Sequence, residues 1–311
     1  MRAVFWKELT DYFSSWRFII VVFLIWLVSL FSVYTASQTI IGDVSRAPTE
    51  AVFLRLFTTS GANMPSFLFF ISFFGPLIGI VFGFDAINGE RTKGTLSRVL
   101  SQPLFRDSVI NGKFLAGLAV IAIMLACIIL EVAGLGLVQI GIPPSAGEIA
   151  RLLCFYLIGV FYVGFWLGLG MLFSVLFRST IISAQIPIFI WLIFVLFTSM
   201  IAGMVSDWIE PVDQNSEYAA IQEHERIETN VQRLSPVTLF NEASETILSP
   251  ERRTLRGIFL ESELYGMMPG SVSLKQSLLL VWQHIIGLIA LTSICFAVSY
   301  IKFMREEIRA T

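Results

Sequence analysis

The sequence predicts an all-α protein that crosses a membrane several times, and two observations carry this prediction. Hydrophobic residues make up 56% of the 311 residues and charged residues only 14%, which is about half the charged share of soluble domains. The apolar residues also gather into six long runs, and a helix needs about 20 apolar residues to cross the hydrocarbon core. Each run must be helical, because a single span has no other way to pair its backbone groups away from water.

The six predicted spans are separated by polar connections. They cover residues 17–34, 65–84, 114–138, 149–177, 181–205 and 277–303. If the N-terminus is cytoplasmic, the inner flanks hold twelve Lys and Arg residues, and the short outer loops hold only Arg46, Arg55 and Arg151. The excess of positive charge on the inner side predicts a multi-pass protein of the cell (plasma or inner) membrane with both termini cytoplasmic.

The first sixteen residues have a pattern of their own. Their apolar side chains recur at helical spacing and share one face, whereas the polar residues, Glu8 among them, point elsewhere. The apolar face consists of Phe5, Leu9, Tyr12, Phe13 and Trp16. The segment 1–16 is therefore predicted to be an amphipathic helix in the headgroup plane, the alternative being a frayed tail. The first five spans then occupy 17–205.

Residues 206–276 form the only large segment outside the predicted spans. The segment has twelve acidic and six basic residues, a charge of −6. Ser-Pro occurs at 235–236 and 249–250, and serine before proline is a helix-start signal. We expect a small extracytoplasmic helical insert with one longer and two short helices. The remainder, 277–311, is the last span and a cytoplasmic tail.

Motifs for catalysis and for metal binding fail in this sequence. Residues 89–95, GERTKGT, have two glycines at phosphate-loop spacing but lack the lysine that such a loop requires. His224-Glu225 is followed by Glu228 where a zinc protease needs its second histidine. We expect no catalytic residue, no metal site and no cofactor in this chain. A net charge of −2 also gives no basic face for nucleic acid.

Glu131 is the one clear acid within a predicted span. A carboxylate at membrane depth is costly and is by default a candidate functional residue. The alternative is a hydrogen-bonded glutamate near the outer end of the third span. If the chain were an intramembrane enzyme, Glu131 and His284 would have to meet across packed helices. If it were a scaffold, its acidic external insert would bind an extracytoplasmic partner.

Residues 85–113 interrupt the apolar pattern with a charged stretch that contains two helix breakers. Residues 85–91 continue the second span, Gly94 offers a turn, Pro103 ends a short helix, and Asp107 can cap the helix of the third span. The short helix has an apolar strip at i, i+3 and i+4 formed by Leu96, Val99 and Leu100. An apolar strip at the cytoplasmic face indicates a protein partner.

The same stretch resembles the signature of ABC-2-type ABC transporter permeases, particularly the NosY-like group. The matching pattern, D-A-I-x-G-E-x-x-x-G-T-L-x-x-x-L-S-x-P-x-x-R-x-x-V-I-x-G-K, covers Asp85 to Lys113. The N-terminal helix, the six-span layout and the LSPVTLF segment are similar as well. The insert around 206–234 is longer than expected for the group.

The resemblance implies a non-catalytic membrane subunit, most often of an exporter. A coupling helix at about 90–102 would sit in a groove of a separate ABC ATPase, which uses ATP and Mg²⁺. A second permease, an identical copy or a paralogue, would complete the path. The residues implied in coupling are Glu90, Arg91, Gly94, Thr95, Leu96, Val99, Leu100 and Arg106.

Overall fold

The computed structural model describes residues 1–44, 51–61, 64–92, 94, 105–212, 218–251 and 272–305, and within these ranges all regular structure is helical. The helices are α1 (Arg2–Phe13), α2 (Trp16–Val44), α3 (Val52–Thr58), α4 (Phe67–Gly83), α5 (Asn88–Thr92), α6 (Arg106–Ile140), α7 (Ala146–Leu176), α8 (Thr180–Leu192), α9 (Thr198–Ile209), α10 (Tyr218–Gln232), α11 (Pro236–Leu248) and α12 (Leu274–Arg305).

Six helical stretches in these ranges are long and apolar enough to cross a membrane, which confirms the predicted all-α polytopic class. They are Trp16–Gly42, Phe67–Thr92, Arg106–Ile140, Ala146–Leu176, Thr180–Ile209 and Leu274–Arg305. The fifth stretch is interrupted, because a π-helical turn at Ile193–Phe197 joins α8 to α9. This turn follows Pro187, which cannot donate a backbone hydrogen bond within α8.

The fourth span, α7, forms the centre of the bundle, and α4 packs directly on it. Three glycines of α4, at positions 75, 79 and 83, face α7 at helical spacing. A Cβ atom at Gly79 would lie 2.5 Å from the carbonyl oxygen of Val163, and one at Gly83 would lie 2.5 Å from that of Leu167. The two backbones can approach this closely only because side chains are absent at these positions. The hydroxyl of Tyr162 adds a hydrogen bond of 2.6 Å to the carbonyl of Ser72.

At the opposite end from α1, helix α11 packs into the bundle instead of lying over it. Phe240 is fully buried, and its ring stacks on Tyr162 with 4.2 Å between centroids. Buried Arg151 of α7 donates to the carbonyl of Ile247 at 2.8 Å, to the hydroxyl of Ser277 at 3.1 Å, and to the carbonyl of Val272. Part of the predicted insert is thus continuous with the core.

The Ser-Pro signals of the insert have different outcomes. Ser235 is the N-cap of α11 with Pro236 in its first turn, as predicted, although the Ser235 side chain makes no capping bond. Ser249 ends α11 as its C-cap. The short helix predicted after 249–250 falls mostly on residues 252–271, which lie outside the described ranges.

Candidate functional site

Two oppositely charged side chains flank the segment that joins the second and third spans, and they form an ion pair. Glu90 on α5 precedes the segment, and Lys113 on α6 follows it. Their Oε1 and Nζ atoms are 2.9 Å apart. The Lys113 ammonium also lies 2.9 Å from the Glu8 carboxylate of α1. Because the Lys113 side chain is only 4% exposed, its charge is balanced by these two acids rather than by water. We call Glu8, Lys113 and Glu90 the clamp.

Helix α1 reaches the clamp because Gly112 lets it approach α6 closely. A Cβ atom at Gly112 would lie 2.9 Å from a methyl group of Val4. Val4 and Glu8, four residues apart, form the buried face of α1. Burial acts to raise the pKa of Glu8, but the charge and hydrogen bond of Lys113, with a contribution from Lys7, outweigh it, and the pKa lies below its ordinary value. Glu8 is therefore held as a carboxylate.

Tyr12 and Lys7, two further residues of α1, lie beside the clamp. The hydroxyl of Tyr12 donates to the carbonyl of Phe82 at 2.9 Å. Burial raises the pKa of Tyr12, and the nearby negative charges of Glu8, Asp85 and Glu90 raise it further. The pKa of Lys7 is also raised: desolvation acts to lower it, but the bonds to Glu8 and Asp11 outweigh that effect. At neutral pH Tyr12 therefore stays a neutral phenol, and Lys7 stays a positively charged ammonium.

The turn between α4 and α5 is fixed to the neighbouring spans by hydrogen bonds. The backbone N–H groups of Ile87 and Asn88 donate to the hydroxyl of buried Ser174 at 2.9 and 3.1 Å. The hydroxyl of Ser183 donates to the carbonyl of Phe84 at 2.7 Å. Arg17 forms an ion pair with Asp85. The second span is thus connected at this end to α2, α7 and α8.

The structure describes four of the eight residues predicted to act in coupling. Glu90 and Arg91 lie on α5, and the Arg91 guanidinium donates to the carbonyl of Val175 at 3.4 Å. Gly94 has a φ of 66°, which suits glycine at the predicted turn. Arg106 is the first residue of α6. The other four, Thr95, Leu96, Val99 and Leu100, lie outside the described ranges.

The predicted helix cap at Asp107 is wrong. The N-cap of α6 is Phe105, which has no side-chain capping bond. Asp107 lies within the first turn, where its carboxylate accepts from the N–H of Ser108 at 2.7 Å. An acid in the first turn still stabilises the positive end of the helix dipole.

Glu131 and His284 have different hydrogen-bond partners. Glu131 on α6 accepts from the hydroxyl of Ser29 on α2 at 3.1 Å. Eight residues further along both helices, Ser37 donates to Gln139, so that a polar seam joins the first and third spans. His284 is buried, and its Nε2 lies 2.7 Å from the Glu242 carboxylate of α11. The intramembrane dyad that an enzyme would require is therefore not assembled.

The partners within the clamp were missed in the sequence analysis. The helical pattern of residues 1–16 places Glu8 on the polar face of α1, and the sequence presents Lys113 as a flanking positive charge and as the last residue of the family signature. The available signal was the position of Lys113, directly before the apolar run that begins at Phe114. A lysine at the start of a span is commonly read as an anchor that reaches the interface, and sequence separation hides its partners.

Fold and site together define a multi-pass helical membrane protein with an ion-paired polar segment between its second and third spans. The family described as "ABC-2 family transporter protein" matches residues 2–308. The chain belongs to this family and is the membrane permease of an ABC transporter. This confirms the resemblance to ABC-2-type permeases, whereas the narrower NosY-like resemblance stays a prediction. No curated protein matches the sequence significantly.

Proposed function

We propose that this permease couples ATP hydrolysis by a separate cytoplasmic ATPase to substrate movement, and that the segment between Glu90 and Lys113 is where the ATPase acts. The observation that supports this proposal is the clamp. It closes the base of the segment with a buried ion pair of 2.9 Å between Glu90 and Lys113. A force applied to the segment therefore reaches the second and third spans together.

The energetics of the clamp favour rigid transmission over local opening. Removing one partner of a buried ion pair typically costs about 3–5 kcal/mol, because the remaining charge is left uncompensated. Glu8 extends the connection to α1, and the Ser174 bonds to Ile87 and Asn88 extend it to α7. The close packing of α4 on α7 then links this end to the centre of the bundle.

Assembly with a second permease is part of the proposal. In the fourth span 72% of the most apolar window is buried, against 11% in the fifth and 17% in the sixth. The outer spans thus expose large apolar faces, which suit lipid or a second copy. By resemblance to the family, two permeases form the path between them, in an exporter whose ATP and Mg²⁺ are held by the ATPase.

The experiment targets the apolar strip of residues 96–100. The double variant Leu96→Asp, Leu100→Asp should lose co-purification with the ATPase and the ATP turnover of the complex. A charged strip cannot fill an apolar groove without an unpaired buried charge. The matched control is Leu96→Ile, Leu100→Ile, which keeps volume and apolarity and should retain both. An intact, active complex carrying the two aspartates would refute coupling at this segment.

A second candidate function, docking of an extracytoplasmic partner, is favoured by helix α10. This helix carries Glu223, Glu225 and Glu228, and its His224 makes polar contacts with α9 and with Glu210, the residue directly after α9. The His224 Nδ1 lies 2.8 Å from the carbonyl of Glu210, and Nε2 lies 3.2 Å from the Ser206 hydroxyl. Deleting 212–232 should leave ATPase coupling intact and abolish partner binding if α10 is a docking element. Loss of ATPase coupling would instead assign α10 to the transport core.

A further inference from the structure

An apolar groove of about 830 Å³ lies where the first turn of α1 overhangs the third and fourth spans. Its walls are formed by α6 and α7 and include Leu115, Leu118, Ala122, Tyr156, Leu157 and Val160. Leu115 and Leu157 are 37% and 53% exposed, so the groove is open along its side. A molecule dissolved in the bilayer could therefore enter without any rearrangement of the helices.

The groove results from the way α1 is attached. Val4 packs against Gly112, and Glu8 pairs with Lys113, so that one flank of α1 is fixed to α6. The other flank, with Arg2, Phe5 and Trp6, extends over the space between α6 and α7. The Phe5 and Trp6 rings meet edge to face at 5.6 Å between centroids. They form an aromatic edge at the mouth of the groove.

Arg2 gives the mouth of the groove a positive charge. The other two basic side chains of the first seventeen residues are paired, Lys7 with Glu8 and Asp11, and Arg17 with Asp85. Within the described ranges Arg2 has no acidic partner, and it lines the groove. An unpaired guanidinium above an apolar groove is complementary to a phosphate that carries a hydrocarbon chain.

The depth of the groove also fits a chain. Leu115 and Ala122 are separated by seven residues of α6, which corresponds to about 10 Å along the helix axis. The groove thus reaches from the level of α1 well into a hydrocarbon core about 30 Å thick. Its volume lies within the range of about 300–1,000 Å³ that is usual for ligand pockets.

We propose that this groove is a binding site for an anionic phospholipid of the surrounding bilayer. The lipid phosphate contacts Arg2 under the aromatic edge, and one acyl chain lies between α6 and α7. The bound lipid fills the space beneath α1 and supports the helix that carries Glu8. The site is separate from the coupling segment, and its occupancy does not depend on the ATPase.

The test measures lipid retention by the full-length chain in nanodiscs. A phosphatidylglycerol with a photoactivatable acyl chain should crosslink to α6 or α7 in preference to the matched phosphatidylcholine. Arg2→Gln should reduce this preference about fivefold, because one basic residue near an anionic lipid surface changes the binding affinity by about this factor. Ala122→Phe should abolish crosslinking of both lipids, because the ring occupies the place of the acyl chain.

Two control variants separate the groove from general effects. Lys302→Gln removes an exposed charge from the last turn of α12, and Leu130→Phe places a ring at a 70% exposed position of α6 outside the groove. Both should crosslink as the unchanged chain does. Equal crosslinking of the two lipids would overturn the proposal. So would crosslinks from a photoreactive residue at Leu118 to a second copy of the chain or to another protein instead of lipid. Neither result would affect the proposed coupling.

Discussion

Buried charges at the two ends of the bundle connect non-spanning helices to spans. At one end Lys113 of α6 binds Glu8 of α1 and Glu90 of α5. At the other end Glu242 of α11 binds His284 of α12 at 2.7 Å and Arg233 at 2.8 Å. Such contacts stabilise less by their Coulomb energy than by the penalty for any arrangement that leaves one member unpaired. They therefore specify where α1 and α11 dock.

The substitution Lys113→Met tests this stabilising role of buried charges at the clamp. Glu8 and Glu90, both largely buried, would lose their 2.9 Å contacts with the Lys113 ammonium, and we expect a stability loss of about 3–5 kcal/mol, seen as a lower Tm of the purified permease. Lys302→Met, at an exposed position, should leave the Tm nearly unchanged. The triple variant Glu8→Met, Lys113→Met, Glu90→Met should recover much of the loss, because an apolar cluster can replace an ion pair. Equal Tm values for the two single variants would contradict the clamp.

The pH dependence of the Glu242 cluster follows from its lowered pKa. Burial acts to raise that pKa, but the bonds to His284 and Arg233 outweigh burial and bring it below the ordinary value of 4.5. The stability due to the Glu242 carboxylate is therefore complete above pH 4.5 and is lost as the pH falls through the lower, folded-state pKa. We expect Glu242→Gln to lower the Tm at neutral pH.

The measurement compares the Tm of the unchanged chain and of Glu242→Gln between pH 7 and pH 3. The difference should shrink towards the acid end, because the Glu242 carboxylate is progressively protonated as the pH falls, whereas the glutamine stays neutral throughout. Glu223→Gln, at an exposed position of α10, serves as the control and should show no such convergence. A Tm difference that is constant with pH would mean that Glu242 acts through packing and not through its charge.

At the scale of elements, the spans could be predicted and the shorter helices only in part. Apolar runs of about 20 residues have few alternatives in lipid, so the six spans follow from composition. Helix α3, Val52–Thr58, was not predicted, because its apolar run is too short to span. It is stable here because Phe53, Leu54, Leu56 and Phe57 are buried in the core, a contact that only the assembled bundle provides. The π-helical turn in the fifth span likewise has no sequence signal beyond Pro187.

The packing of α4 on α7 depends on glycine, and Gly79→Ala tests it. The added methyl group would meet the backbone of Val163 at 2.5 Å, and backbone atoms cannot move aside as a flexible side chain can. Overpacking of this kind costs about 1–3 kcal/mol. We expect a lower Tm and reduced ATP turnover of the complex.

Gly134→Ala is the matched control for this substitution. Gly134 lies on α6, and a Cβ atom there would have no neighbour within 4 Å. The same chemical change should therefore be harmless at that position. Since alanine favours the helical backbone more than glycine does, an equal loss of Tm in both variants would contradict the role of the contact between α4 and α7.

At the scale of the whole molecule, the candidate site is the part that sequence alone predicts least completely. The signature at 85–113 located the segment, because its breakers and apolar strip are local features. The clamp joins residues 8, 90 and 113, which belong to three helices, and their meeting depends on how α1 folds back on α6. The domain boundaries at 16, 205 and 276 remain predictions. Helix α11 belongs to the predicted insert, yet it packs within the bundle and not as a separate unit.

The proposed function requires that the segment between the second and third spans faces the cytoplasm. In a chain whose Cys127, Cys154 and Cys295 are replaced by alanine, single cysteines can be introduced at Lys93, Arg178 and Ser216. A membrane-impermeant maleimide should label Ser216→Cys in intact cells, because 206–276 is predicted to be outside. Lys93→Cys and Arg178→Cys should be labelled only after the membrane is permeabilised, and their agreement would show that the second and fourth spans end on one side. Labelling of Lys93→Cys in intact cells would place the segment beyond the reach of a cytoplasmic ATPase. The clamp would then stabilise the fold and have no role in coupling.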